Sequence, residues 1–143
     1  LKRTGGNLAE IRDRLYEVMW DDVGIVRDAQ GLQRASGRLD ELEAQLDATG
    51  VAGSSLAFNL TWHDWLNLKN LILVSKSIRF ASQAREDSRG AHFRADFPTA
   101  GDLNTSAYTC VKLVDEQFDI STRPVEFTRV KPGESLIDDQ AAA

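Results

Sequence analysis

The chain has 143 residues, 42% apolar and 27% charged, enough for one domain with a real core. Its net charge of −5 and isoelectric point near 5.0 argue against a general binder of nucleic acid or anionic membrane, which needs surplus Lys and Arg. A single cysteine, Cys110, excludes an internal disulfide and a thiolate metal cluster, and fits a reducing compartment. No apolar run is long enough for a membrane span and no signal peptide is visible. A start at Leu1 and an end in Ala141-Ala142-Ala143 suggest a piece of a longer protein.

Asn7-Leu8-Ala9-Glu10 has the form of a capping box. Beyond it Leu8, Ile11, Leu15, Val18 and Met19 recur at helical spacing, which predicts an amphipathic first helix. Gly24 and its β-branched neighbours Val23, Ile25 and Val26 disfavour helix, so a break or a tight crossing is expected there. A second helix carries the seam Leu32, Ala35, Leu39, Leu42 and Leu46, with Arg34, Arg38, Asp40, Glu41, Glu43 and Asp47 on faces expected to be solvated, and Thr49-Gly50 as its end. Gly50 to Ser55 reads as a small-residue loop.

Thr61 with Asp64 offers an N-cap for a third helix running from Trp62 to Ala84. This helix has two apolar stripes, Trp65, Leu68, Ile72 and Ser75 on one side and Leu71, Val74, Ile78 and Ala81 on the other. A two-sided helix belongs between two partners, either both earlier helices or a neighbouring domain. After Pro98, Tyr108 to Val114 and Phe118 to Val130 predict a hairpin turning at Asp115-Glu116, with Pro124 at an edge or a kink. The fold class is mainly α: an antiparallel, spectrin-repeat-like three-helix bundle over residues 1–98, with a loop and β-hairpin over 99–143 packed on it as one domain. From Gly133 onward the chain reads as frayed.

Neither a glycine-rich phosphate loop nor a Cys/His ligand cluster occurs, so no dinucleotide, cofactor or metal site is expected in the chain itself. His63 reads as a surface residue beside Asp64, Cys110 as a small buried hydrophobe, and Trp20, Trp62 and Trp65 as core or interface packing. The densest polar segment is Arg85-Glu86-Asp87-Ser88-Arg89-Gly90-Ala91-His92-Phe93-Arg94-Ala95-Asp96-Phe97-Pro98, with three arginines and three carboxylates. Arg89, His92 and Arg94 suit a carboxylate or phosphate. The balanced signs equally suit a local structural or docking network, with Gly90 reversing the chain past the helix.

This segment resembles the R-x-E-S-R-G-x-H-x-R-x-D-x-P signature in the C-terminal domain of the succinate dehydrogenase/fumarate reductase flavoprotein subunit family, which includes L-aspartate oxidase. Arg85, Ser88, Arg89, Gly90, His92, Arg94, Asp96 and Pro98 match, while Asp87 stands where the family usually has Glu. Val23-Gly24-Ile25-Val26-Arg27 and Leu66-Asn67-Leu68-Lys69-Asn70-Leu71 resemble two further family segments, and Arg123 to Pro132 resembles the end of the dicarboxylate-specific members. The resemblance runs from about Leu8 to Lys131.

It implies a bundle that docks on a flavin domain through Arg85, Asp87, Ser88, Arg89, His92, Arg94 and Asp96, with catalytic residues and FAD upstream of this segment. It implies no catalytic, cofactor-binding or metal-binding residue in this chain, and no activity for the chain alone. The parent would be an FAD-dependent dicarboxylate oxidoreductase, with an iron–sulfur subunit as a further partner and a cytoplasmic place at the inner face of the membrane. An L-aspartate oxidase-like parent, or an independent helical interaction module, is the alternative.

Overall fold

The computed structural model describes residues 7–51 and 57–135. It is a three-helix bundle followed by an antiparallel hairpin, as the apolar spacing predicts. Helix α1 spans Leu8–Asp21, capped by Asn7, whose side chain accepts from the backbone N–H of Ala9 and Glu10. Helix α2 spans Ala29–Thr49 between the cap Asp28 and Gly50, which adopts φ 65°.

Helix α3 spans Leu60–Ala84, and here the expected cap is wrong. Asn59, not Thr61, accepts from the N–H of Trp62, so the helix starts two residues before the position expected. The loop read between Gly50 and Ser55 lies mostly outside the described residues.

The seam Leu32, Ala35, Leu39, Leu42 and Leu46 is fully buried and forms the centre of the core with Ile11, Leu15, Val18, Leu68 and Ile72. Polar side chains fix the helix directions. Lys69 pairs with Asp47 and Lys76 with Asp40 across the α2–α3 seam, which sets those helices antiparallel. Arg14 reaches Gln45 at the far end of α2, and Asp22 at the end of α1 pairs with Arg34 and Arg38 near the start of α2. The faces of α2 expected to be solvated are therefore only partly so: Arg38, against Asp22, and Glu43, which also pairs with Lys76, are half-buried. Of the three tryptophans, Trp65 packs on the core and donates its Nε1–H to the carbonyl of Leu46 at 2.9 Å. Trp62 meets His63 edge-on, whereas Trp20 is 81% exposed and is no core residue.

The break at Gly24 resolves into a turn and a two-residue strand, β1 (Val26–Arg27). A Cβ on Gly24 would stand 2.4 Å from the carbonyl oxygen of Trp20, so the turn closes only around glycine. Strand β1 pairs in parallel with β2 (Phe93–Arg94) from the charged segment. A single 3-10 turn, Leu103–Thr105, leads into β3 (Ala107–Val114) and β4 (Gln117–Pro124), joined through Asp115 and Glu116, both at positive φ. Strand β4 ends at Pro124 rather than running to Val130; the N–H of Val125 still bonds the carbonyl of Ser106 in register with the ladder, and beyond it the chain runs as loop. Phe118 of β4 lies against Phe80 of α3 at 5.0 Å between ring centres, which seats the hairpin on the bundle.

The first apolar stripe of α3 meets the core, with Leu68, Ile72 and Ser75 buried. The second, Leu71, Val74 and Ile78, stays between 40% and 52% exposed. Neither earlier helix covers it.

Candidate domain-docking site

Helix α3 ends at Ala84 with free carbonyls, and the charged segment is built around satisfying them. Arg94, with a side chain only 3% exposed, turns back from β2 and donates from one terminal nitrogen to the carbonyls of Ser82, Gln83 and Arg85, at 3.0, 3.2 and 2.8 Å. Its Nε and other terminal nitrogen grip Asp96 in a fork, both at 2.7 Å. Asp96 in turn accepts from the backbone N–H of Ala29 at 3.1 Å, at the start of α2. A cation thus sits at the C-terminus of one helix and a carboxylate at the N-terminus of another, each matched to the local dipole. The Arg94 fork holds the Asp96 carboxyl down to about 2, and the same bonds to Asp96 raise the pKa of Arg94.

Arg85 pairs with Asp87 at 2.9 Å, and Asp87 also takes the Nε of Arg89 at 3.1 Å. The Arg89 contact with Asp87 is an ion pair only, since Arg89 donates from Nε and both terminal nitrogens to the loop before the hairpin: to the carbonyls of Ala100 and Asp102 and the hydroxyl of Ser106. Gly90, at φ 57°, allows the tight reversal in which Arg89 and His92 exchange backbone hydrogen bonds of 2.8 and 3.1 Å. Ser88 Oγ accepts from the N–H of Arg94 and donates to the carbonyl of Phe97.

His92 is buried, and its Nδ1 faces a terminal nitrogen of Arg27 at 2.7 Å. Arginine can only donate, so Nδ1 accepts and the ring proton resides on Nε2. Nε2 has no hydrogen-bond partner within the described residues, although the carbonyl of Arg85 is near enough to favour the charged ring weakly. Burial, then the charges of Arg27 and Arg85, push the His92 pKa below its ordinary value. The imidazole is therefore neutral near pH 7, and it serves as an acceptor that fixes Arg27.

All seven residues expected to form the site come together, but they are turned largely toward their own chain. Arg27 and Ser82 are further members of the hydrogen-bond network that the spacing of the segment does not reveal. Arg27 bonds Ser82 Oγ at 2.8 Å and ties β1 to α3. The signal for it was the Val-Gly-Ile-Val-Arg segment, whose last residues prove to be the strand partner of Phe93 and Arg94. Among the described residues no three His, Cys, Asp or Glu side chains cluster as a metal site would need. No helix of the described residues is long and apolar enough to cross a membrane. Cys110 is half-buried in β3 and His63 is exposed, so neither joins the network.

A family model described as the fumarate reductase flavoprotein C-terminus matches residues 12–136. A fumarate reductase flavoprotein subunit from Mycobacterium tuberculosis is 32% identical over 133 residues, covering 92% of this chain and 23% of that protein. An L-aspartate oxidase from Yersinia pestis is 38% identical over 80 residues, covering 56% of this chain and 14% of that protein. A solved structure of an E. coli quinol fumarate reductase variant superposes with a TM-score of 0.77 at 26% identity, covering 94% of this chain and 24% of the other. The chain spans about a seventh to a quarter of the length of these relatives.

Proposed function

Because the chain belongs to the C-terminal family of fumarate reductase flavoproteins, we propose that it is the non-catalytic support domain of a larger FAD-dependent dicarboxylate oxidoreductase. In this reading FAD and the groups that move hydride and proton lie in the preceding part of the protein. The parent interconverts a dicarboxylate such as succinate and its unsaturated partner. The bundle segment 1–98 and the hairpin segment 99–143 act as one unit, held together by the Phe80–Phe118 contact and by the bonds from Arg89 to the pre-hairpin loop. The unit works on the cytoplasmic side, held at the inner face of the membrane by partner subunits, an iron–sulfur subunit among them.

The observation that carries this reading is the saturation of the arginines. Arg94 commits Nε and both terminal nitrogens to this chain's own carbonyls and to Asp96. Arg89 likewise commits all three of its nitrogens to its own chain. A substrate carboxylate would have to displace those bonds. Arg85, Asp87, Ser88, Arg89, His92, Arg94 and Asp96 therefore hold the docking surface in shape. The surface itself is apolar: exposed Leu71, Val74 and Ile78 on α3, and exposed Ile25 and the strand neighbours Val26 and Phe93. An L-aspartate oxidase-like parent is the second reading, favoured less because that relative matches a smaller share of the chain.

The test is to purify the chain alone and then to combine it with the separately expressed remainder of the protein. The chain alone is expected to be colourless and inactive with succinate or fumarate, and to restore activity and stability on addition to the remainder. A yellow, catalytically active preparation of the chain alone would overturn the proposal.

A further inference from the structure

A second feature, away from the charged segment, is a pocket of about 360 Å³ between α2, α3 and the hairpin turn. Its walls come from Ser36, Leu39 and Asp40 of α2, Lys76, Arg79 and Phe80 of α3, and Glu116, Gln117 and Phe118 of the hairpin. The two cations in it are treated differently. Lys76 is held by Asp40 at 2.7 Å and by Glu43; burial opposes its charge, but the two carboxylates outweigh burial and raise its pKa.

Arg79 is 5% exposed yet has no carboxylate within ion-pair distance among the described residues. Its Nε donates to the carbonyl of Leu32 at 3.1 Å, and its guanidinium lies 4.4 Å over the ring of Phe80. No hydrogen bond joins its two terminal nitrogens to a described residue, and they are not sealed from solvent: His92 Nε2 is the one buried side-chain nitrogen without a partner among the described residues. A buried charge without a counter-ion is costly, and buried charges are ordinarily paired. Burial accordingly lowers the pKa of Arg79, offset only in part by the charge of Asp40. Glu116, at the mouth on the exposed hairpin turn, is not within ion-pair distance of Arg79.

The geometry points to this pocket as a binding site for a small amphipathic carboxylate, with the carboxylate on the two unpaired nitrogens of Arg79 and its hydrocarbon part against Leu39, Phe80 and Phe118. The planar fork of arginine suits a carboxylate held by two parallel bonds. The Phe80–Phe118 pair supplies an apolar wall beside it. The volume lies in the range of small-molecule sites. Lys76 contributes shape rather than charge, because two acidic side chains already occupy it.

The test is calorimetric titration of the full chain with 3-phenylpropionate, with 3-phenylpropan-1-ol as the neutral analogue and inorganic phosphate as the anion without hydrocarbon. The expected result is saturable binding of 3-phenylpropionate, with the alcohol and phosphate each weaker by about tenfold or more, the loss of one charge-assisted interaction. Arg79→Gln is expected to reduce the affinity by a similar factor. Ser36→Leu fills the pocket while leaving Arg79 in place, so it decides the matter if Arg79→Gln fails to fold, and it is expected to weaken binding as well. Absence of saturable binding, equal affinity for the alcohol or for phosphate, or undiminished binding in either folded variant would overturn the assignment.

Discussion

Arg94 and Asp96 share two hydrogen bonds of 2.7 Å, and each also closes the end of a different helix. Arg94 takes three carbonyls at the end of α3, and Asp96 takes the N–H of Ala29 at the start of α2. The pair is a brace between two helix ends that lie far apart in sequence. Arg94→Ala leaves those carbonyls and a carboxylate without their donor. It is expected to cost about 3 kcal/mol, in the range for breaking a buried pair from one side. Urea unfolding of the variant and the parent chain measures this directly, and a loss well under 1 kcal/mol would show that water replaces the guanidinium freely.

The same pair predicts an acid transition. The folded pKa of Asp96, about 2, lies below its ordinary 3.8, so the fold stabilises the ionised carboxylate. That contribution is complete above about pH 4 and disappears as pH falls toward 2. Asp96 is partly exposed, which screens the effect. Asp96→Asn is expected to be less stable than the parent at about pH 5, with the difference shrinking steadily below about pH 4 and closing as pH falls through 2, by denaturant midpoints. A constant difference across that window would place the effect of the substitution elsewhere.

His92 predicts a second titration of the same sign, in which the fold favours the neutral form of the group rather than the charged one. Its folded pKa is lowered from 6.5 by burial and by Arg27 and Arg85, with Asp87 pulling the other way. Below pH 6.5 the unfolded chain takes up the proton before the folded one, so stability declines as the solution is acidified from that point. His92→Asn retains an acceptor for Arg27 and removes the ionisation. Its stability is expected to stay flat between about pH 6.5 and 5 where the parent's declines. Matching slopes would exclude His92 as the titrating group.

Arg89 ties the charged segment to the loop ahead of the hairpin through Ala100, Asp102 and Ser106. Arg89→Ala is therefore expected to loosen β3 and β4 more than the bundle. Amide exchange in 107–124 should accelerate by about tenfold, the loss of one charged hydrogen bond, with little change in α2. Equal acceleration throughout both regions would mean that hairpin and bundle open together.

The two stripes of α3 separate stability from assembly. Ile72 is fully buried, and Ile72→Ala is expected to cost about 3 kcal/mol in the chain alone. Ile78 is 42% exposed, and Ile78→Glu should change the stability of the chain by less than about 0.5 kcal/mol while weakening its association with the rest of the protein. Association unaffected by Ile78→Glu would move the docking surface off this stripe.

Much of this architecture was legible because it rests on period. The leucine seam of α2 and the inner stripe of α3 each repeat often enough for helical spacing to show which face is buried. The family signature located the charged segment in the same way. What escaped was short or non-local. Strand β1 has only two residues, too few for any alternation, and its partner lies on the far side of two helices. The N-cap of α3 went to Asn59 because local geometry, not spacing, chose between two neighbouring polar residues. The alternation past Pro124 persisted in sequence, while the backbone left the ladder after the bond from Val125 to Ser106. The unpaired state of Arg79 could not be read at all, since it depends on which carboxylates Lys76 had taken.

The pairing of Val26 with Phe93 has a consequence for the order of folding. It closes a loop containing the whole of α2 and α3, and closing so long a flexible segment before anything else has formed is entropically unfavourable. Packing the two helices side by side first brings Arg27 and Arg94 close, after which the ladder adds little further restriction. The two family segments thus meet late, as a latch over a bundle already assembled. Substitutions in them should accelerate unfolding far more than they slow folding, the pattern of contacts absent from the transition state.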